Sequence, residues 1–151
     1  MALARQGEAA PGSSPIGCVI VLDGEIVGEA HNEVDALHDP TAHAEIIAMR
    51  RAGARLGRSR FEGATLYSTL QPCGMCSMAS IWAGIARIVY GAERHQVHKM
   101  YFEDRHLDVM DFIGDAFKDD LSVRGGVRGE ACAEMYYAPE DDPPEAVQAN
   151  K

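Results

Sequence analysis

Two short segments of this chain carry side chains suited to a metal site. The first contains His43 and Glu45, and the second contains Cys73 and Cys76 directly after Pro72. One imidazole and two thiolates are good ligands for Zn²⁺, and three protein ligands leave the fourth tetrahedral position to water. Glu45 then lies close enough to move protons to and from that water. These residues predict a catalytic zinc site.

Other interpretations of the same residues stay open at this point. A C-x-x-C pair alone also serves redox chemistry, and H-x-E is common by chance. A structural zinc would need a fourth ligand, for which His38 is the nearest spare side chain. Cys18 and Cys132 lie in strand-like and helix-like patterns, so we expect them to be buried as small apolar residues.

Both halves of the predicted site are expected where a helix begins. Pro72 suits a helix start because its missing N–H group costs nothing there, and a helix over about 74–83 brings the sulfur atoms of Cys73 and Cys76 to one side. The positive end of a helix dipole also favours thiolates.

The histidine segment predicts a second helix start. Asp39 is a favourable N-cap and Pro40 a favourable first residue, so we expect a helix from there to about Arg55. His43 and Glu45 would then lie in its first turns.

The rest of the chain alternates strand-like and helix-like segments. Met1–Ala9 is compatible with a short helix, and Asp23-Gly24 is a hairpin turn signal. We expect strands at 16–22, 25–31, 64–69, 87–90 and 121–127, and a last helix at 128–138. This alternation predicts an α/β sandwich. We expect one domain over 1–138, followed by an acidic, disordered tail over 139–151.

Composition narrows the possible functions. The 151 residues carry a net charge of −9, so the surface should repel phosphate backbones and nucleic acid is an unlikely partner. No apolar run approaches the roughly 20 residues of a membrane span, and a cytoplasmic location is the default. Five arginines lie near the end of the second predicted helix: Arg50, Arg51, Arg55, Arg58 and Arg60. They form either a solvated face or an RNA-binding patch.

The combination of H-x-E with P-C-x-x-C resembles the cytidine deaminase superfamily, whose base deaminases carry this signature. The resemblance covers about 15–102 and rests on Pro15-Ile16-Gly17, Asn32, Asp39-Pro40-Thr41-Ala42-His43-Ala44-Glu45 and Pro72-Cys73-Gly74-Met75-Cys76. It implies a three-layer α/β/α sandwich with a mixed five-stranded sheet, and a homodimer. It also implies a small heterocyclic base as the substrate.

The resemblance assigns roles to individual residues. It implies that His43, Cys73 and Cys76 hold Zn²⁺ and that Glu45 shuttles protons. It also implies that Asn32 hydrogen-bonds the substrate ring, whereas the sequence around Asn32 alone favours a cap or a turn.

Within the superfamily, the chain resembles the branch that holds bacterial guanine deaminases and tRNA adenosine deaminases. Trp82 and Phe102 match aromatic residues of the guanine enzymes, and Phe102-Glu103-Asp104 matches their Phe-Asp-Asp. This implies that Asp104 assists proton transfer and that Trp82, Phe102 and Glu103 contact the substrate. The plainer interpretation makes Glu103 and Asp104 solvated loop acids.

The resemblance ends in the C-terminal part. Guanine deaminases close their site with a C-terminal aromatic side chain, and Tyr136 or Tyr137 is either that residue or part of the core. Guanine is therefore the first expected substrate. Isoguanine, cytosine, 5-azacytosine-type s-triazine rings and tRNA adenosine are the alternatives.

Overall fold

The structure is a computed structural model that describes residues 1–10, 13–102, 111 and 121–144. Five strands form one sheet in the described part of the chain: β1 (Gly17–Leu22), β2 (Glu25–His31), β3 (Thr65–Leu70), β4 (Arg87–Ala92) and β5 (Ser122–Arg124). Their order is β2-β1-β3-β4-β5. β1 is antiparallel to both β2 and β3, whereas β3, β4 and β5 run parallel. The predicted mixed sheet is confirmed, although β5 is shorter than expected.

The first two strands form the hairpin that the sequence predicts. Asp23 and Gly24 connect them, with φ angles of 52° and 82°. Positive φ at both positions is what a two-residue turn needs to match the twist of the strands. The register between these strands shifts where Ile20 pairs with Gly28 and Val21 with Ile26, so the extra residue of this β-bulge is Val27 on β2.

Helices cover both faces of the sheet, as the sandwich prediction requires. They are α1 (Ala2–Ala9), α2 (Val34–Leu37), α3 (Ala44–Leu56), α4 (Gly74–Trp82) and α5 (Gly129–Ala133). On one face α3 lies so close to β2 that a Cβ on Gly28 would overlap the carbonyl oxygen of Ala48. On the other face α1 and α5 come equally close to the sheet. A Cβ on Gly17 would overlap the backbone of Ala4, and a Cβ on Gly91 would overlap the side chain of Cys132.

The main core fills the space between the sheet and α3. Ile20, Leu66 and Ile88 point into it from three neighbouring strands and are almost fully buried. Alternation along each strand sends one set of side chains to this core. A second cluster lies where β3 and β4 end and contains Leu70, Ala92, Val97, Tyr101, Phe102, Cys132 and Tyr136.

The start of α3 differs from the prediction. The helix begins at Ala44 with His43 as its N-cap, not at Asp39. Asp39 Oδ1 instead accepts hydrogen bonds from the backbone N and the hydroxyl of Thr41, at 2.8 and 2.7 Å. This local turn competes with helix formation, as is common for Asp. Arg50 completes it with a 3.1 Å ion pair to Asp39 Oδ2.

Arginines on α3 tie the helix to its neighbours. Arg51 donates to the carboxylate of Glu33 at 2.6 Å and to the backbone oxygen of Glu29 at 2.9 Å. Arg55 donates to the backbone oxygen of Ile26 at 2.6 Å. These guanidinium groups are exposed, as the solvated-face interpretation expects, but they already bond to this chain.

The first residues of the predicted tail make local contacts. The backbone N of Ala138 donates to Asp141 Oδ2 at 2.6 Å, and Pro143 is buried. The rest of the predicted tail lies outside the described residues. None of the helices that the structure describes has the length and apolar character needed to cross a membrane.

Candidate metal centre

The three predicted zinc ligands converge on one point. His43 Nδ1 lies 3.6 Å from Cys73 Sγ and 3.6 Å from Cys76 Sγ. All three ligating atoms fall within 4.8 Å of one another, and no other group of three His, Cys, Asp or Glu residues does so among the described residues. The side chains come from α3 and α4, which makes the cluster a product of the tertiary fold.

The spacing of these atoms fits a tetrahedral zinc ion. With Zn–S near 2.3 Å and Zn–N near 2.1 Å, tetrahedral geometry holds sulfur and nitrogen ligands about 3.6 Å apart. This is the separation that the structure has. Two sulfurs and one nitrogen are also the donor set that suits Zn²⁺. His43, Cys73 and Cys76 are thus placed to bind a zinc ion.

Two of the three ligands are helix N-cap residues. His43 caps α3 and Cys73 caps α4, both with extended backbone, and neither side chain makes a capping hydrogen bond. Both side chains instead meet in the shared cluster, where the Cys73 sulfur accepts a hydrogen bond from the Cys76 thiol. The two helix N-termini also place their positive dipole ends at the thiolates.

Hydrogen bonding within the cluster already favours a thiolate. The Cys76 thiol donates to Cys73 and, with His43, lowers the pKa of Cys73 to about 5 despite burial. The same hydrogen bond and burial raise the pKa of Cys76. Zinc binding displaces the proton that Cys76 holds, because the metal takes both sulfurs as thiolates.

Glu45 is buried beside the metal ligands. It lies in the first turn of α3 with 3% of its surface exposed. Oε2 is 3.4 Å from Cys76 Sγ, and Oε1 accepts a 3.0 Å hydrogen bond from Ser68 Oγ. Burial raises the pKa of Glu45 above its usual value. A carboxyl group with a raised pKa, next to an open metal position, is suited to both accepting and donating a proton.

The other cysteines and the spare histidine do not belong to the cluster. Cys18 and Cys132 are buried in the two apolar clusters, as predicted, and all four cysteines are free thiols. His38 is exposed at the end of α2 and is not part of the ligand set. The structure therefore supports three ligands, not the four of a closed structural site.

Asn32 makes a local turn, one of the two roles that its own sequence context favours. It is buried, and its Oδ1 accepts a 3.3 Å hydrogen bond from the backbone N of Val34. Its backbone oxygen accepts from Ser13 Oγ at 2.5 Å. Its contact with a substrate ring stays a prediction.

The structure does not bring Trp82 to the metal cluster. Trp82 is the last residue of α4, whereas Cys73 and Cys76 lie at the start, and the rise of a helix separates the two ends by roughly 10 Å. Its side chain is 73% exposed. A wall of the site built by Trp82 is therefore not a feature of the single chain.

Phe102 lies in the second apolar cluster and is 4% exposed. The guanidinium carbon of Arg94 stands 4.7 Å above its ring centre. Glu103 and Asp104, the predicted acids that follow, lie outside the described residues. Their predicted roles in substrate binding and proton transfer stay predictions.

The C-terminal tyrosines favour the core interpretation. Tyr136 is 8% exposed, and its ring meets Tyr101 edge to face with centroids 5.1 Å apart. Its hydroxyl hydrogen-bonds Thr69 Oγ1 at 2.8 Å. Thr69 also accepts from the backbone N of Gly17, so Tyr136 fastens the C-terminal segment to the ends of two strands.

Sequence reasoning missed Ser68, which contacts Glu45. The signal was present in the pattern of β3, because alternation puts Ser68 on the same buried face as Leu66 and Leu70. A hydroxyl on such a face needs a partner. The identity of that partner follows only from the way α3 crosses the sheet.

Comparison with known proteins places residues 1–92 in the cytidine and deoxycytidylate deaminase zinc-binding region. A tRNA-specific adenosine deaminase of Aquifex aeolicus is 47% identical over 81 residues, which are 54% of this chain and 54% of that protein. The chain thus spans about half the length of that relative. A guanine deaminase of Bacillus subtilis is 40% identical over 102 residues, covering 68% of this chain and 65% of the relative.

A solved structure from a study of tRNA:A34 deaminases has the same fold. It superposes with a TM-score of 0.75 at 34% identity and covers 89% of this chain and 93% of its own. The sheet and the helices that carry the ligands are therefore shared with proteins of both substrate classes.

Substituting a zinc ligand should remove the metal. We expect one zinc per chain in the purified protein and only trace zinc after His43→Ala, Cys73→Ala or Cys76→Ala, because two ligands do not hold the ion at this site. Elemental analysis of the dialysed proteins measures this directly. Cys132→Ala, a buried cysteine outside the cluster, is the matched control and should keep its zinc. Full zinc content in Cys73→Ala would contradict the assignment.

Glu45 should make the metal-free protein less stable as the pH rises. Burial raises its pKa, so the folded state binds the proton more tightly than the unfolded state, and the free energy of unfolding falls as the pH rises above the usual value of 4.5. Glu45→Gln removes this dependence. The free energy of unfolding of each protein is measured by urea unfolding after zinc is removed with a chelator, at about pH 5 and about pH 8. Relative to the wild type, the variant should be more stable at the higher pH than at the lower one. Glu29→Gln, at an exposed position, is the control, and an equal difference at both pH values would refute the idea.

Proposed function

Because the chain belongs to the family defined by the cytidine and deoxycytidylate deaminase zinc-binding region, we propose that it deaminates a free nucleobase by hydrolysis. Guanine is the first candidate substrate, and ammonia is the second product. The similarity to a guanine deaminase over 68% of this chain supports that choice.

One observation carries the proposal of catalysis. Glu45 is a buried carboxyl group 3.4 Å from a zinc ligand, although it is not itself part of the ligand set. A structural zinc site has no use for a buried acid in this position, since burying a carboxyl group is costly. The cost is understandable if the carboxyl group transfers protons beside the metal.

The proposed reaction gives a role to each of these groups. His43, Cys73 and Cys76 would hold a zinc ion, which would supply a water whose pKa is lowered to near neutrality. Glu45 accepts a proton from the attacking water and delivers it to the ring nitrogen next to the carbon that carries the amine. Glu45 then takes the second proton from the hydroxyl group that has added to the ring carbon and transfers it to the amine. The carbon–nitrogen bond to the amine breaks, the ring carbon becomes a carbonyl, and ammonia leaves. Asp104 is proposed to assist that second transfer.

The substrate ring is proposed to bind between the loops that follow β2 and β4. Asn32 would hydrogen-bond the ring, and Phe102 and Glu103 would contact it from the second loop. Support comes from the location of Asn32 directly after β2, four residues after Gly28, where that strand lies against α3. It also comes from the burial of Phe102 in the same apolar cluster as Leu70 of β3.

Surface charge favours a small substrate over RNA. The chain has a net charge of −9. Arg50 and Arg51 pair with Asp39 and Glu33, and Arg60 pairs with Glu62 at 2.6 Å. A phosphate group would have to compete with these carboxylates for the same guanidinium groups.

A tRNA adenosine is the second candidate substrate. It is favoured by the 47% identity to the Aquifex aeolicus tRNA-specific adenosine deaminase and by the superposition on a tRNA:A34 deaminase structure. The same zinc site and Glu45 would act on adenine in that case, so the two candidates differ in whether the ring is a free base or part of a tRNA.

The four free thiols fit action in a reducing compartment such as the cytoplasm.

We also propose that the protein acts as a homodimer through the groove between α3 and α4. The groove encloses about 650 Å³, and Ile46, Met49 and Phe61 are among its apolar lining residues. Trp82 stands at its edge with 73% of its surface exposed. Exposed tryptophan beside an apolar groove is typical of a protein interface.

The first test is ammonia release from a panel of bases by the zinc-loaded protein. We expect release from guanine and a fall of roughly 100-fold or more in kcat for Glu45→Ala, because proton transfer contributes that much to such reactions. Isoguanine, cytosine, 5-azacytosine, adenine and guanosine complete the panel.

The variant must keep its zinc for the comparison to count, so metal content is measured in the same samples. Release from a triazine or from isoguanine alone would keep the reaction and change the substrate. Inosine formation in a tRNA anticodon arm without release from any free base would replace the proposal with the second candidate. Full activity of zinc-loaded Glu45→Ala would overturn the mechanism.

The proposed dimer is tested by sedimentation velocity. Trp82→Ser should shift the protein from dimer to monomer, because the central aromatic residue of an interface contributes much of its binding energy. Tyr67→Ser is the matched control, since Tyr67 is an exposed aromatic residue that lies on a strand and does not line this groove. If the protein stays dimeric in Trp82→Ser but becomes monomeric in Tyr67→Ser, the interface does not lie at this groove and lies instead on the face of the sheet that carries Tyr67.

A further inference from the structure

A serine on β3 holds one of the two oxygens of the Glu45 carboxyl group. Ser68 Oγ donates to Glu45 Oε1 at 3.0 Å, and the side chains are 7% and 3% exposed. The residues lie 23 positions apart, on a strand and a helix, so the bond exists only in the folded chain. Hydrogen bonds from a neutral donor to a buried carboxylate are strong and fix its orientation.

The other oxygen faces the metal ligands. Glu45 Oε2, and not Oε1, is the oxygen within hydrogen-bond distance of Cys76 Sγ, at 3.4 Å. Rotation about the last side-chain bond would exchange the two oxygens, and the bond to Ser68 opposes that rotation. The environment therefore makes the two oxygens inequivalent.

From this arrangement we infer that Ser68 is a positioning residue, which holds Glu45 Oε1 so that Oε2 alone faces the metal position and carries the protons. The inference rests on the proposed function. It adds to that function a residue outside the ligand set and a separate role for each carboxyl oxygen.

The location of Ser68 suits a positioning role. β3 is a central strand, and Ser68 pairs with Cys18 of β1 on one side and with Tyr90 of β4 on the other. A side chain on such a strand moves less than one on a loop, which makes its hydrogen bond a fixed reference for the carboxyl group. The neighbouring residues on its face of β3, Leu66 and Leu70, are apolar and offer Glu45 no donor.

Three substitutions of Ser68 separate positioning from packing. Ser68→Ala and Ser68→Val remove the donor, and Ser68→Thr keeps it in a side chain of the same shape as valine. We expect kcat to fall by roughly 10- to 100-fold in the alanine and valine variants, because a displaced catalytic group loses about that much. Threonine should restore most of the rate, and KM should change little because Ser68 is not among the residues proposed to contact the substrate.

Ser77→Ala is the matched control. Ser77 is also a buried serine near the cysteines, but its hydroxyl has no hydrogen-bond partner in the described part of the chain. It should keep the wild-type kcat. All variants should bind zinc as the wild type does, since the ligand set is unchanged.

A crystal structure of zinc-loaded Ser68→Ala gives a second readout that needs no substrate. We expect the Glu45 carboxyl group to leave its wild-type rotamer or to occupy several. If the wild type releases ammonia from no base, the proposed function fails, and this structure still decides the role of Ser68. A wild-type rate in Ser68→Val, an unmoved Glu45, or loss of zinc from Ser68→Ala would each overturn the inference.

Discussion

The structure depends on one geometric constraint, which is that two helices must begin within a few ångströms of each other. His43 and Cys73 are the N-caps of α3 and α4, and a ligand separation of 3.6 Å leaves little tolerance in how these helices start. The sheet meets this constraint because both helices are positioned by its strands. Gly28 lets α3 approach β2 closely, and β3 leads through Pro72 directly into α4. The sheet order and the packing of α3 thus serve the metal position.

Local chemistry explains what could be predicted from the sequence. The Asp23-Gly24 turn, the strands beside it and the start of the cysteine helix depend on neighbouring residues, and all three were confirmed. The ligand set was also predictable, because residue type and spacing restrict it. The predicted start of α3 was wrong because Asp39 bonds Thr41 and forms a turn, a choice between two local structures that Arg50 helps to decide from eleven residues away.

Contacts between distant segments explain what could not be predicted. Ser68 meets Glu45 because α3 crosses β3, and Tyr136 meets Thr69 because the C-terminal segment returns to the sheet. Neither pair has a sequence signal beyond a polar residue in a buried position. The substrate contacts are harder still. They depend on loops whose shape local patterns do not determine, and Trp82 shows how a matching residue type can lie at the wrong end of its helix.

The three proposed zinc ligands and Glu45 lie at the starts of α3 and α4, whereas Asn32 and Phe102, which are proposed to meet the substrate, follow β2 and β4. This separation has an evolutionary consequence. A substitution in either loop changes the shape offered to a ring without moving a ligand atom, so a lineage can acquire a new substrate while the protein stays active at every step. Relatives named for guanine and for tRNA adenosine on one scaffold are the expected result of such a division.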